Sequence, residues 1–203
     1  MVTAFHFYEP TAGHGLAHDP MNAIVAPRPV GWISSLSAAG KRNLAPYSFF
    51  NLFNYRPPII GFSSVGWKGS VANIAETREF VWNLATRAQA DAMNATSTGE
   101  DVDEFERAAI DPLPSRLVAP PRVGGSPVQF ECRLTQLIRL TDHTGVEIDA
   151  WMILGEVIGV HIDPAMLGGG VYVTERARPI LRGGGPADYF EPGEKFAMRR
   201  PQP

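Results

Sequence analysis

The stretch RNLAPYSFFNLF, Arg42 to Phe53, decides how this chain is read. It reads as a strand, and alternation should then separate core side chains from wet ones. Instead Phe49 and Phe53 fall on one face while Phe50 and Leu52 fall on the other. Something must cover the second face. With Asn43, Tyr47 and Ser48 close by, the strand suits a flat aromatic ligand whose edge needs hydrogen bonds. A second subunit would cover it equally well, and the two readings are compatible.

Upstream, VGWISSLSAAGKRNLAPYSFF reads as a hairpin: a strand through Val30, Trp32 and Leu36, a turn at Ala39-Gly40, then the second strand. Downstream, YRPP ends that strand, because proline lacks the donor a central ladder needs. IIGFSSVGW is a third strand, and KGSVANIAETRE follows with helical spacing at Val71, Ile74 and Ala75, opened by Ser70 as the expected N-cap. FVWNLA is a fourth strand, and RAQADAMNATS and DVDEFERAAI are short helices. Asp111 to Pro127 is a proline-rich loop. Two long strands, PVQFECRLTQLIRL and EIDAWMILGEVIGVHI, flank the turn TDHTG. Residues 1–22 read as an arm, 23–203 as one domain, and the tail from Ala165 as loop. The fold expected is mainly β: a six-stranded antiparallel Greek-key barrel with a few helices. No βαβα alternation is present, which removes the usual dinucleotide scaffold.

The 203 residues suffice for one domain with a sizeable core, and 44% apolar with 19% charged residues is globular composition. A net charge of −3 gives no broad electrostatic footprint for nucleic acid. No apolar run spans a membrane, and the N-terminus lacks a basic-then-apolar leader, so a cytoplasmic protein is expected. The lone Cys132, beside Phe130 and Leu134 in alternation, reads as a small buried hydrophobe. The five histidines give no metal-ligand spacing, and no metal is expected. His161, after an apolar strand, is either a strand-end residue or a catalyst, and stands as the catalytic candidate.

WKGSVANI carries the clearest chemistry. A cation at Lys68, a hydroxyl at Ser70 and the free N–H groups of a helix start form a pocket suited to a phosphate monoester. Plain capping by Ser70 beside a solvated Lys68 is the alternative, and the two can coexist.

PRPVGWISS, GKRNLAPYSFFN, PPIIGFSS, WKGSVANIAETREFVWNLAT, SPVQFECRL and LGEVIGVHID, in this order, resemble the flavin reductase-like family of FMN-binding split barrels, in its flavoredoxin-like branch. The resemblance implies a six-stranded split barrel that forms a homodimer and holds FMN in a groove near the subunit interface. It carries the flavin-lining strand onto Asn43, Ala45, Pro46, Tyr47, Ser48, Phe49 and Phe50, with Ser34 and Ser35 on the neighbouring strand. A K-D-T sequence in relatives, whose Lys and hydroxyl grip the phosphate, corresponds to Lys68 and Ser70, with Gly69 in place of the Asp; Asn73 follows on the same helix. Many short flavin reductases carry a Gly-Asp-His triplet before the long late strand, where this chain reads TGVEIDAWMILGEV. Its absence shifts weight to the flavoredoxin-like branch, in which Arg182 and Tyr189 approach the cofactor. The implied activity is NAD(P)H:flavin reduction, with hydride passing from NADH or NADPH to flavin N5. The alternatives are an FMN electron carrier without nicotinamide turnover and an FMN-free interaction barrel. A flavin-using monooxygenase or another electron acceptor is the implied partner.

Overall fold

The structure, a computed structural model, describes residues 5–201. Its main element is one antiparallel sheet of seven strands: β1 (Gly31–Leu36), β2 (Arg42–Tyr47), β3 (Phe50–Tyr55), β4 (Pro58–Val65), β5 (Glu79–Asn83), β6 (Val128–Thr141) and β7 (Glu147–Ile162). They pair in the order β2-β1-β5-β6-β7-β4-β3. The outermost strands, β2 and β3, are consecutive in the chain and separated only by Ser48 and Phe49. Two residues span less than about 8 Å, so the two edges of the sheet must curl toward each other, and the sheet becomes a barrel with a seam at that corner.

This corner corrects the opening expectation. Arg42 to Phe53 is not one strand but two, and the count is seven rather than six. The apparent conflict between its faces comes from the change of direction. Tyr47 pairs with Gly31 in β1, whereas Phe50 pairs with Phe62 in β4. The Phe49 carbonyl accepts from Ser63 N at 2.8 Å. Arg28 pins the corner from outside, donating from Nε to the Ser48 carbonyl at 3.1 Å.

Two apolar clusters sit on opposite faces of the β1–β2 hairpin, as alternation requires. Ile33 and Tyr47 face the barrel interior with Phe62, Phe80, Cys132 and Ile153. Trp32 and Leu44 face outward onto Met93, Phe105 and Val123. Helix α1 (Gly69–Thr77) closes the interior, burying Ser70, Val71 and Ile74, and stops where Arg78 turns left-handed at φ 66°. Helices α2 (Ala90–Ala95) and α3 (Glu104–Arg107) cover the outer cluster.

Two further expectations are revised. Lys68, not Ser70, is the N-cap residue of α1; Ser70 lies within its first turn and makes no cap. The tail is not plain loop, because Leu181–Arg182 pairs with both Arg28–Pro29 and Tyr189–Phe190 in a small second sheet. The TDHTG turn forms as read, with Asp142 Oδ1 accepting from Thr144 N and Val146 N. Among the described residues no helix is long and apolar enough to cross a membrane.

Candidate functional site

Along β2 the side chains of Asn43, Ala45 and Tyr47 line a groove of about 650 Å³, while Leu44 between them faces the outer core. The opposite walls are the start of α1 and the segment from Ser97 to Glu104. Small-molecule sites commonly occupy roughly 300–1,000 Å³.

One end of the groove gathers hydrogen-bond donors. The first amides of α1 have no acceptor within the helix, and no side chain caps them. The first backbone bond of that turn runs from Ala72 N to the Lys68 carbonyl at 3.0 Å. Ser70 is buried, and its Oγ accepts from Asn43 Nδ2 at 2.8 Å. Gly69 makes this approach possible, since a Cβ there would stand 2.7 Å from Asn43 Oδ1.

The cations sort themselves by pairing. Lys41 pairs with Asp101 across the groove mouth. Arg42 is committed to Asp103, from Nε at 2.7 Å, and to Glu106 at 3.2 Å. Of the groove's three cations only Lys68 has no carboxylate partner among the described residues. An unpaired ammonium, free helix amides, an amide side chain and a hydroxyl form a donor set that fits a phosphate.

Deeper in, burial pushes the Tyr47 hydroxyl above its ordinary pKa, opposed by hydrogen bonds with Ser70 and Ser64. Glu104 is buried on the far wall and accepts the outward-facing Leu44 amide at 3.1 Å. Burial raises its carboxyl pKa, and the Leu44 bond only partly offsets the rise. This carboxylate blunts the open edge of β2, and Pro46 does the same by lacking a donor.

The structure therefore gathers Asn43, Ala45, Tyr47, Lys68, Ser70 and Asn73 in one groove. Phe49 and Phe50 lie beyond the corner, in a second groove of about 500 Å³ with Arg28, Phe53 and Met152. Pro46 and Ser48 are half-buried in the strand and its corner. Ser34 and Ser35 are fully buried and point to opposite faces of β1, and neither lines a groove. Asn73 Nδ2 donates to Ser35 Oγ at 3.2 Å, so Ser35 meets the site through Asn73. Arg182 stacks on Tyr189 at 5.1 Å in the small sheet, beside Arg28.

His161 lines neither groove. Its Nε2 meets Glu131 Oε1 at 2.5 Å, on a carboxylate that is wholly buried. Glu131 also accepts the amides of Arg116, Leu117 and Val118 at 2.9, 2.6 and 3.1 Å. Burial alone would raise the Glu131 pKa, but the Arg116 amide, His161 and the Leu117 amide outweigh it, and the net direction is down. The arrangement straps the proline-rich loop to β6.

Sequence reading missed Glu104, Asp101 and Lys41 as groove residues. Glu104 follows Asp103, which caps α3 by accepting from Phe105 N and Glu106 N. That Asp-Glu-Phe start marks the helix but not what it faces.

The family described as "Flavin reductase like domain" matches residues 22–181. An uncharacterised protein of Aquifex aeolicus is 35% identical over 172 residues, covering 80% of this chain and 83% of that protein. Among solved structures, nitrilotriacetate monooxygenase component B from Bacillus cereus superposes with a TM-score of 0.85 at 27% identity, covering 97% of this chain and 100% of that one. Flavoredoxin of Desulfovibrio vulgaris (Miyazaki F) shares the fold with a TM-score of 0.75 at 21% identity, covering 86% and 91% of the two chains. With a match across most of its length and the barrel those proteins share, this chain belongs to the flavin reductase-like family.

Proposed function

We propose that the protein is an FMN-dependent oxidoreductase, a reductase that uses NADH or NADPH, acting as a cytoplasmic homodimer. The observation that carries the reading is the donor set at the start of α1. Among the described residues Lys68 is the groove's one uncommitted cation, beside free helix amides and the Asn43–Ser70 pair. Lys68 would neutralise the phosphate while the amides of Gly69 and Ser70 orient it. Ala45 and Tyr47 would wall the groove toward the corner and keep water from that side. When bound, FMN supplies a ring that takes a hydride from a reduced nicotinamide and yields two electrons to an acceptor. The protein's part is then positioning and fixed dipoles rather than acid–base catalysis. Phe49, Leu52, Phe53 and Tyr55 are exposed around the corner and along β3, and this surface supports the dimer reading.

A second reading, an FMN electron carrier, is favoured by one observation. Among the described residues no histidine lines the groove, and His161 is engaged by Glu131. Bacillus cereus component B, which by its name is part of a monooxygenase, motivates a flavin-using monooxygenase as the acceptor. The visible absorption of the FMN-loaded protein under exclusion of air separates the two. Bleaching of the flavin band by NADH or NADPH alone supports the reductase. Bleaching only by a partner protein supports the carrier, and failure to take up FMN removes both.

A further inference from the structure

Beyond the phosphate clamp the groove changes sign. The side chains of Tyr47, Ala45, Asn43 and Lys41 line it in sequence along the hairpin, at about 3.3 Å per residue. Asn43 marks the clamp through its bond to Ser70. The groove therefore continues about 7 Å past the clamp to Lys41. There its walls carry Glu100 and Asp101. The local cations are already spent: Lys41 on Asp101, and Arg107 on Glu100 at 2.6 Å. Asp101 is itself highly exposed, its side chain 93% accessible, so its charge is presented to whatever enters from that end.

We propose that Asp101 and Glu100 make this groove selective for a flavin monophosphate over a flavin dinucleotide. This rests on the FMN reading above and deepens it. A dinucleotide carries a second phosphate and an adenosine beyond the first phosphate. That phosphate would lie against two carboxylates, with no uncommitted cation among the described residues at that end to meet it, and like charge disfavours it. Lys41 works in the opposite sense, because its pairing with Asp101 offsets part of the repulsion.

The test is a calorimetric titration of the full chain with FMN and with FAD, read as the ratio of the two dissociation constants. The wild type is expected to prefer FMN. Asp101→Asn should lower the FAD-to-FMN ratio about fivefold, the worth of one unit charge at about 4 Å in water. Lys41→Ala should raise the ratio, and added salt should shrink the preference in the wild type. A fold defect would not move the two variants in opposite directions. If FMN binds but FAD binds equally well, or if Asp101→Asn and the Glu100→Gln/Asp101→Asn double variant leave the ratio unchanged, this proposal is overturned while the FMN reading stands. If neither flavin binds, both fall.

Discussion

Asn43 and Ser70 are joined by a 2.8 Å hydrogen bond that residue 69 permits only by having no side chain. Gly69→Ala would place a methyl group 2.7 Å from Asn43 Oδ1 and turn that amide away from the clamp. The displaced atom ends a side chain, so thermal stability should change little. FMN affinity should fall by about 1 kcal/mol, roughly fivefold, the worth of one hydrogen bond. Calorimetry beside a thermal melt checks both halves, and unchanged affinity would remove Asn43 from the clamp.

Lys68→Ala should weaken FMN by about 1.5–3 kcal/mol, as expected for a charge-assisted bond to an anion. Riboflavin has no phosphate, and its binding should be nearly unaffected. Comparing the two ligands by titration isolates the phosphate, and an equal loss for both would move the anion site elsewhere.

Acid should act through Glu131. Its carboxyl pKa in the folded protein lies below the ordinary value. The stability it contributes is therefore complete above the ordinary carboxylate pKa of about 4.3. It is lost as the pH falls through the lower, folded value. Glu131→Gln should cost about 1–3 kcal/mol near neutrality, because three loop amides lose an ionised acceptor. The same variant should flatten the acid side of the melting-temperature profile. A profile that keeps its slope would place the acid-sensitive group elsewhere.

Cys132 should resist alkylation in the native state. Its thiol faces the barrel interior from β6, and burial pushes its pKa far above the ordinary range, so the thiolate is scarce. Reaction with iodoacetamide should track global unfolding in denaturant. Fast labelling of the folded protein would mean that the interior opens locally near β6.

Much of this was legible in the sequence, and the exceptions share a cause. Period-two patterning places Trp32, Phe62, Cys132 and Ile153 in strands, and proline and glycine mark most of the turns. The corner at Ser48–Phe49 was hidden because both flanking segments are apolar and no glycine or proline stands between them. The adjacency of Lys68 and Ser70 at a helix start was readable because they are neighbours on one local element. Ser34 and Ser35 looked like a pair, yet alternation sends them to opposite faces, where both are buried. Glu104 and Asp101 reach the groove from about sixty residues away, as the Leu44–Glu104 and Lys41–Asp101 contacts show. Local pattern carries no record of such a juxtaposition.

The corner also bears on how the chain assembles. Within Gly31 to Val65 the two internal pairings, β1 with β2 and β3 with β4, join strands adjacent in sequence, and the joint between the two hairpins is the barrel's own seam. Closing the ring there involves almost no intervening chain and so little closure entropy. The costly searches lie on the far side, where Val81 must find both Ser34 and Glu131. Refolding should begin in this double hairpin and finish at β5, so that pulsed hydrogen exchange protects amides 31–65 before those of β5.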